Sequence, residues 1–191
     1  MFGAVISCAL LGWTTLNANE ERSAPQVMFE TSLGSFTVEL DPVRAPISSE
    51  NFLKHVRSSH YDGLIFHRVV AGFVVQTGGF ETDMNEREVA ETIELESNNG
   101  LSNVTGSLGM ARTGDPNSAS SQFYVNTVDN VNLDARPDFL GYAVFGKVID
   151  GMDTIHAIER VPVHSVNSMK HVPVEPVVIH SATEVRTSHA E

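Results

Sequence analysis

A chain of 191 residues suits one domain with a sizeable core, and 41% apolar with 19% charged residues is a globular rather than a disordered composition. Twelve Lys and Arg against 24 Asp and Glu give a net charge of −12, a surface that repels phosphate backbones and anionic lipid, so no nucleic-acid partner is expected. One Cys excludes a disulfide framework and a Cys-rich zinc site.

The first residues differ from the rest. Residues 2–16 are small and apolar, Leu16-Asn17-Ala18 offers a small-residue cleavage site, and Asn19-Glu20-Glu21-Arg22 turns polar. Residues 1–18 are therefore expected to be a signal peptide, with 19–25 a linker. No Lys or Arg precedes Arg22, so the basic start of such a leader is absent. Cleavage after Ala18 removes both Cys8 and Trp13, the single Cys and the single Trp. A Cys-free remainder suits an oxidising compartment, and the expected location is the periplasm. The alternatives are the cytoplasm and a lipid anchor at Cys8, because Val5-Ile6-Ser7-Cys8 loosely resembles a lipoprotein cleavage box. Beyond the leader no apolar run is long enough to span a bilayer, so no integral membrane segment is expected after processing.

From there the chain reads as mostly β. Residues 27–31 and 35–40 form a hairpin through Leu33-Gly34, and Phe36, Val38 and Leu40 alternate with Thr37 and Glu39, the period of a half-buried strand. A helix follows over 46–58, with Ile47, Phe52, Leu53 and Val56 near helical spacing and Ser48 or Ser49 as N-cap. Strands are expected at 64–70, 73–77, 107–112, 122–127, 142–149 and 175–182, which makes eight. The polar stretch 80–103 reads as a surface loop with a short strand at 91–95. A second helix over 152–160 places Met152, Ile155 and Ile158 on one face. The fold class is mainly β: a closed eight-stranded antiparallel β-barrel capped by two α-helices, over residues 26–183, with 184–191 a tail.

Most familiar chemistry is missing. Gly141 to Lys147 has the glycine and lysine spacing of a phosphate loop, but Val148 stands where a hydroxyl must reach magnesium, and the interior reads as a buried strand. The eight His show no helical pair with Glu of the kind a zinc hydrolase uses. His67 reads as a structural hydrogen-bonding residue beside Arg68. Asn103-Val104-Thr105 fits a glycosylation triplet, a pattern that chance produces often. No Ser sits in a Gly-x-Ser-x-Gly elbow, so no nucleophile is evident.

One run stands out: Phe66-His67-Arg68-Val69-Val70-Ala71-Gly72-Phe73-Val74-Val75-Gln76-Thr77-Gly78-Gly79. It is followed by Gly106-Ser107-Leu108-Gly109-Met110-Ala111-Arg112, Ser120-Ser121-Gln122-Phe123-Tyr124 and Val144-Phe145-Gly146-Lys147-Val148. In these four ordered blocks the chain resembles the cyclophilin family of peptidyl-prolyl isomerases, over roughly the whole of 26–183. Ala111-Arg112-Thr113 and the stretch from Phe139 to Phe145 look closest to its periplasmic bacterial branch.

The resemblance implies a rotamase acting on proline-containing polypeptides with no metal and no cofactor; an acidic single domain is most simply a monomer. It implies that Arg68 is catalytic, donating towards the prolyl nitrogen. Phe73, Val74, Tyr124, Leu133 and Tyr142 would line the proline pocket. Gln76 and Gln122 would bond the peptide backbone or orient Arg68. Ala111 and Arg112 would pair with the peptide main chain as an added edge. The chain also departs from the family's best-known member. Asn132 stands where that member has a pocket-rim Trp, Tyr142 where it has His, Val74 where it has Met and Tyr124 where it has Phe. Phe139, in an enlarged loop, is a candidate to cover the pocket in place of the Trp. Two rival classes remain. A proline-peptide binding module can dispense with Arg68. A small-ligand barrel carrier needs an open interior, which Phe29, Phe36, Phe66, Phe123 and Phe145 would fill.

Overall fold

A computed structural model of the chain describes residues 24–185. The expected leader 1–18, Cys8, Trp13, most of the 19–25 linker and residues 186–191 of the tail lie outside the described residues.

Among the described residues ten strands and two α-helices follow one another as β1 (Gln26–Thr31), β2 (Gly34–Leu40), α1 (Pro46–Arg57), β3 (Arg68–Val70), β4 (Val74–Thr77), β5 (Ser107–Met110), β6 (Phe123–Asn126), β7 (Val144–Asp150), α2 (Met152–Glu159), β8 (Val163–Val166), β9 (Met169–Pro173) and β10 (Ile179–Glu184), with one 3-10 turn, Val131–Leu133, between β6 and β7. Eight of the strands make one curled antiparallel sheet in the order β10-β1-β2-β7-β5-β6-β4-β3. The ladder itself is open between β3 and β10. Main-chain bonds from Gly63 to Ile179, Phe66 to Val177 and Ile179 to Leu64, at 2.8–3.0 Å, lace that seam. The barrel expected from the sequence is thus half-closed by strands and completed by a short bridge.

Alternation fills the interior. Phe36, Val38 and Leu40 point inward while Thr37 and Glu39 do not, as a two-residue period requires. Phe29 faces Phe36 across the β1–β2 ladder, and their rings stack at 4.9 Å. Phe66, Phe123 and Phe145 are wholly buried with them. Phe52 of α1 plugs one end, with its ring 5.2 Å from both Phe123 and Phe145. Ile155 and Ile158 of α2 cover the other side of the core. A barrel packed with rings holds no room for a carried ligand.

Several expectations are corrected. Neither Ser48 nor Ser49 is the N-cap of α1: Ala45 holds that position and Pro46 starts the helix. The first amides are satisfied from outside, because Glu96 accepts Ile47 N at 2.9 Å and Ser48 N and Oγ at 2.7 Å. Of the 64–70 strand only Arg68–Val70 pairs with β4, since residues 64–66 turn to the seam. The 91–95 strand reduces to one bridge between Ile93 and Ala119. The hairpin β8–β9 was not expected. Its strands are short, mostly exposed and poor in the apolar alternation that marks a buried strand. Of the Gly141–Lys147 spacing only Val144–Lys147 lies on β7, so the strand expected at 142–149 starts two residues later, and residues 141–143 lead into it.

Candidate active site

Strand register builds the site. Arg68 lies opposite Gln76 across β3 and β4, Gln76 opposite Tyr124 across β4 and β6, and Tyr124 opposite Gly109 across β6 and β5. One row thus crosses four strands. The row beside it, Val69, Val75, Val125 and Leu108, belongs to the barrel core. By the period of two, the Arg68 row faces outward.

On that outer face, Arg68, Phe73, Val74, Gln76, Ala111, Arg112, Tyr124, Leu133 and Tyr142 line one cavity of about 250 Å3. Nine of the ten residues singled out from the sequence therefore converge. Gln122 is the tenth. It lines an adjoining cavity of about 190 Å3 with Glu86, Ser118 and Ser120, and stands behind Gln76. A larger groove of about 550 Å3 runs past β2 and β7 and holds none of the ten. Its charged side chains already pair with each other, Arg44 with Asp41 and Lys147 with Glu39.

Arg68 is half-buried and held on two sides. Its Nη1 donates to Gln76 Oε1 at 3.2 Å, and its guanidinium carbon sits 5.8 Å from the centre of the Phe73 ring. Gln76 Nε2 in turn donates to Gln122 Oε1 at 3.0 Å, so the two glutamines form a chain that aims the guanidinium. Burial lowers the Arg68 pKa from the ordinary guanidinium value, and Tyr142 offsets part of that. The group stays charged, because a guanidinium does not lose its proton in proteins.

The walls are equally determined. The phenol end of Tyr124 packs on Gly109, where a Cβ would come within 2.2 Å of its ring carbon and hydroxyl. Only glycine fits beneath it. The Tyr124 hydroxyl donates to buried Asn103 Oδ1 at 2.7 Å, and burial pushes its pKa up. Tyr142 meets Tyr124 edge-on at 6.1 Å, with the Arg112 guanidinium 4.6 Å over its ring. Arg112 also donates to the Gly141 carbonyl at 2.8 and 3.1 Å, so this side chain braces the Tyr142 wall. Ala111 N donates to the Gln122 carbonyl at 3.0 Å, which ends the β5–β6 pairing just at the cavity.

Phe139 does not cover the cavity. Its ring lies 6.1 Å from that of Tyr142, with the Arg136 guanidinium 4.8 Å over it, and it lines a separate hollow with Ser97 and Leu140. Asn132 is exposed, next in sequence to the cavity residue Leu133, and its carbonyl accepts Arg136 Nη1 at 3.0 Å. His67 packs on Phe80 at 4.7 Å with Nδ1 buried and unpartnered, and burial lowers its pKa to about 4.

Sequence reasoning missed the polar cluster behind the walls: Asn103, Asn126 and Asn130, all buried, with Asp134. Residue 103 had been placed at the end of a surface loop, and full burial also removes it as a glycan acceptor. One signal was available. Asn126 sits inside a predicted strand, where asparagine is depleted unless something bonds it.

Residues 26–184 match the family described as "Cyclophilin type peptidyl-prolyl cis-trans isomerase/CLD". The chain is 48% identical over 153 residues to a peptidyl-prolyl cis-trans isomerase of Acinetobacter baylyi, covering 80% of this chain and 81% of that one. It is 42% identical over 164 residues to peptidyl-prolyl cis-trans isomerase A of Dickeya dadantii, covering 86% of each. A crystal structure of a cyclophilin type peptidyl-prolyl cis-trans isomerase from Cryptosporidium parvum superposes with a TM-score of 0.70 at 26% identity, over 85% of this chain and 98% of that one. The chain belongs to the cyclophilin-type peptidyl-prolyl cis-trans isomerase family. It is an enzyme, and its reaction interconverts the cis and trans forms of the peptide bond before proline.

Proposed function

We propose that this isomerisation takes place in the 250 Å3 cavity with Arg68 as the catalytic residue. The peptide bond resists rotation by about 18–20 kcal/mol because the nitrogen lone pair is delocalised. At the twisted transition state that lone pair is localised on a pyramidal nitrogen and accepts a hydrogen bond. A donor aimed there binds the transition state more strongly than either ground state. Arg68 meets the requirement: one N–H is committed to Gln76, and the fork offers further donors from a fixed position. Phe73, Tyr124, Leu133 and Tyr142 supply apolar walls for the proline ring. The main chain at Ala111, just past the end of β5, is an edge on which the peptide backbone adds.

The observation that carries this reading is the held guanidinium in the lining of a cavity of about 250 Å3 walled by Phe73, Tyr124 and Tyr142. The test is exchange NMR on an Ala-Pro peptide with chelator present. Arg68→Ala should slow the exchange by about one to three decades, the scale of losing one preorganised donor, with little change in Tm. Equal rates in variant and wild type would reject Arg68.

The second part of the proposal concerns place and company. The apolar 2–16 stretch, the site at Ala18 and the Cys-free remainder support export to the periplasm, where the domain acts as a monomer on folding chains with exposed prolines. Expressed from its full frame in a Gram-negative host, the protein should appear in the periplasmic fraction with its N-terminus near Asn19. A cytoplasmic product that keeps residues 2–16 would contradict export.

A further inference from the structure

Four walls of the cavity share one anchor behind it. Asn103 is fully buried, and its main chain and its side chain both bond within the cluster. Its N and Nδ2 donate to Asp134 Oδ1 at 2.7 and 2.8 Å. Its Oδ1 accepts from the Tyr124 hydroxyl at 2.7 Å and from Asn126 Nδ2 at 3.3 Å. Its carbonyl accepts Asn130 N at 2.7 Å. From there the ties reach the walls. Asn130 Nδ2 donates to the carbonyl of Phe73 at 2.9 Å and to Asn126 Oδ1 at 2.8 Å. Leu133 N donates to the Asn130 carbonyl at 2.8 Å, and Tyr142 N to the Leu133 carbonyl at 3.0 Å. Asp134 follows Leu133 directly and also takes the Ser102 hydroxyl on Oδ2.

The orientation of the amide is forced. Burial raises the Asp134 carboxyl, but the donors from Ser102 and Asn103 outweigh that and hold its pKa below the ordinary carboxylate value. An ionised Asp134 only accepts, so Nδ2 of Asn103 must face it. Oδ1 must then face Tyr124, whose hydroxyl has no role left but donor. Each member thus fixes the next, and a partly satisfied buried network is unstable as a whole.

We propose that Asp134 and Asn103 are positioning residues for the isomerase reaction: acting through the Tyr124 hydroxyl and the Leu133 main chain, they set the gap between the two sides of the proline pocket. The proposal rests on the reading of that cavity as the proline site. Neither residue touches the substrate. Without the tether, Tyr124 can lift from Gly109 and the 131–134 turn can move away from it. The pocket then binds proline less well, while Arg68, held separately by Gln76, still serves the rotation.

The experiment compares Asp134→Ala, Asp134→Asn, Tyr124→Phe and the double Asp134→Ala/Tyr124→Phe variant by exchange NMR over a series of peptide concentrations. Asp134→Ala should raise KM about tenfold with kcat nearly unchanged, the scale of leaving buried donors unmatched. Asp134→Asn keeps the accepting Oδ1 and gives Ser102 a partner on the other side, so it should stay within about twofold of wild type. Tyr124→Phe should raise KM in the same way, and the double variant should be no worse than the worse single, because both cut one tether. A purely structural role would lower Tm and leave KM alone, or would make the two losses multiply, and either result overturns the proposal. If Asp134→Ala does not fold, Tyr124→Phe with unchanged KM overturns it equally. Arg68→Ala measured alongside separates the two claims. Loss of kcat there with no KM effect at Asp134 defeats only the positioning role, and no effect of Arg68→Ala defeats the site itself.

Discussion

Asn132, next to the cavity residue Leu133, stands where the family's best-known member has a pocket-rim Trp. An indole gives a ligand both apolar area and an N–H donor, whereas Asn132 gives a donor and little surface. Phe139 does not replace the missing area, because it lines a different hollow. The resemblance implies that cyclosporin, a ligand of the family, leans on that indole, so it should inhibit this enzyme about two decades or more less well than a member with the rim Trp, the usual cost of a lost aromatic hot spot. Asn132→Trp should recover part of that sensitivity, and a titration giving nanomolar inhibition of the unmodified chain would contradict the argument. The buried histidines allow a second check. Burial, with His60 and Lys54 nearby, lowers His55 from 6.5 to about 4, and burial with Arg68 alongside lowers His67 from 6.5 to about 4. A histidine whose folded pKa lies below its unfolded value favours the fold when neutral. Its contribution is whole above about pH 6.5 and is lost as the pH falls towards 4. NMR titration of the imidazoles should find both rings neutral at about pH 6, where an unperturbed histidine is largely protonated.

The elements show what a sequence reveals and what it withholds. Strands β1 and β2 were legible because Phe36, Val38 and Leu40 alternate over a whole strand. The cavity was legible because seven of its nine residues fall in blocks that resemble a known family, with Leu133 and Tyr142 placed by their order between the blocks. That Arg68, Gln76, Tyr124 and Gly109 stand in one row was not, since cross-strand register joins residues up to 48 positions apart through pairings that no local pattern encodes. The start of α1 makes the same point. Two serines offered a local cap, yet the amides went to Glu96, whose carboxylate is in direct hydrogen-bond contact but 48 to 49 positions off in sequence. A carboxylate there satisfies orphan amides and complements the helix dipole. Glu96→Ala should cost about 1–2 kcal/mol, as loss of a cap does, and lower Tm by a few degrees. An unchanged Tm would show that Ser48 or Ser49 can take over the cap.

On the scale of the whole molecule, division of labour explains how an acidic 191-residue chain carries a site around two arginines. The interior face of the barrel is packed with rings and fixes the strands, so the exterior face is free to hold Arg68 in a half-buried position without strain on the core. Rotation about a peptide bond asks for no bond to be made or broken, which fits a site of donors and walls. The central claim is that Arg68 acts on the twisted bond more than on the bound peptide. The measurement that tests it compares the exchange rate at saturating Ala-Pro peptide with the peptide Kd, in wild type and in Arg68→Ala. The account predicts a rate lower by about one to three decades with Kd raised only severalfold. A rate at saturation equal to wild type, with the whole loss in Kd, would contradict it and make Arg68 a binding residue.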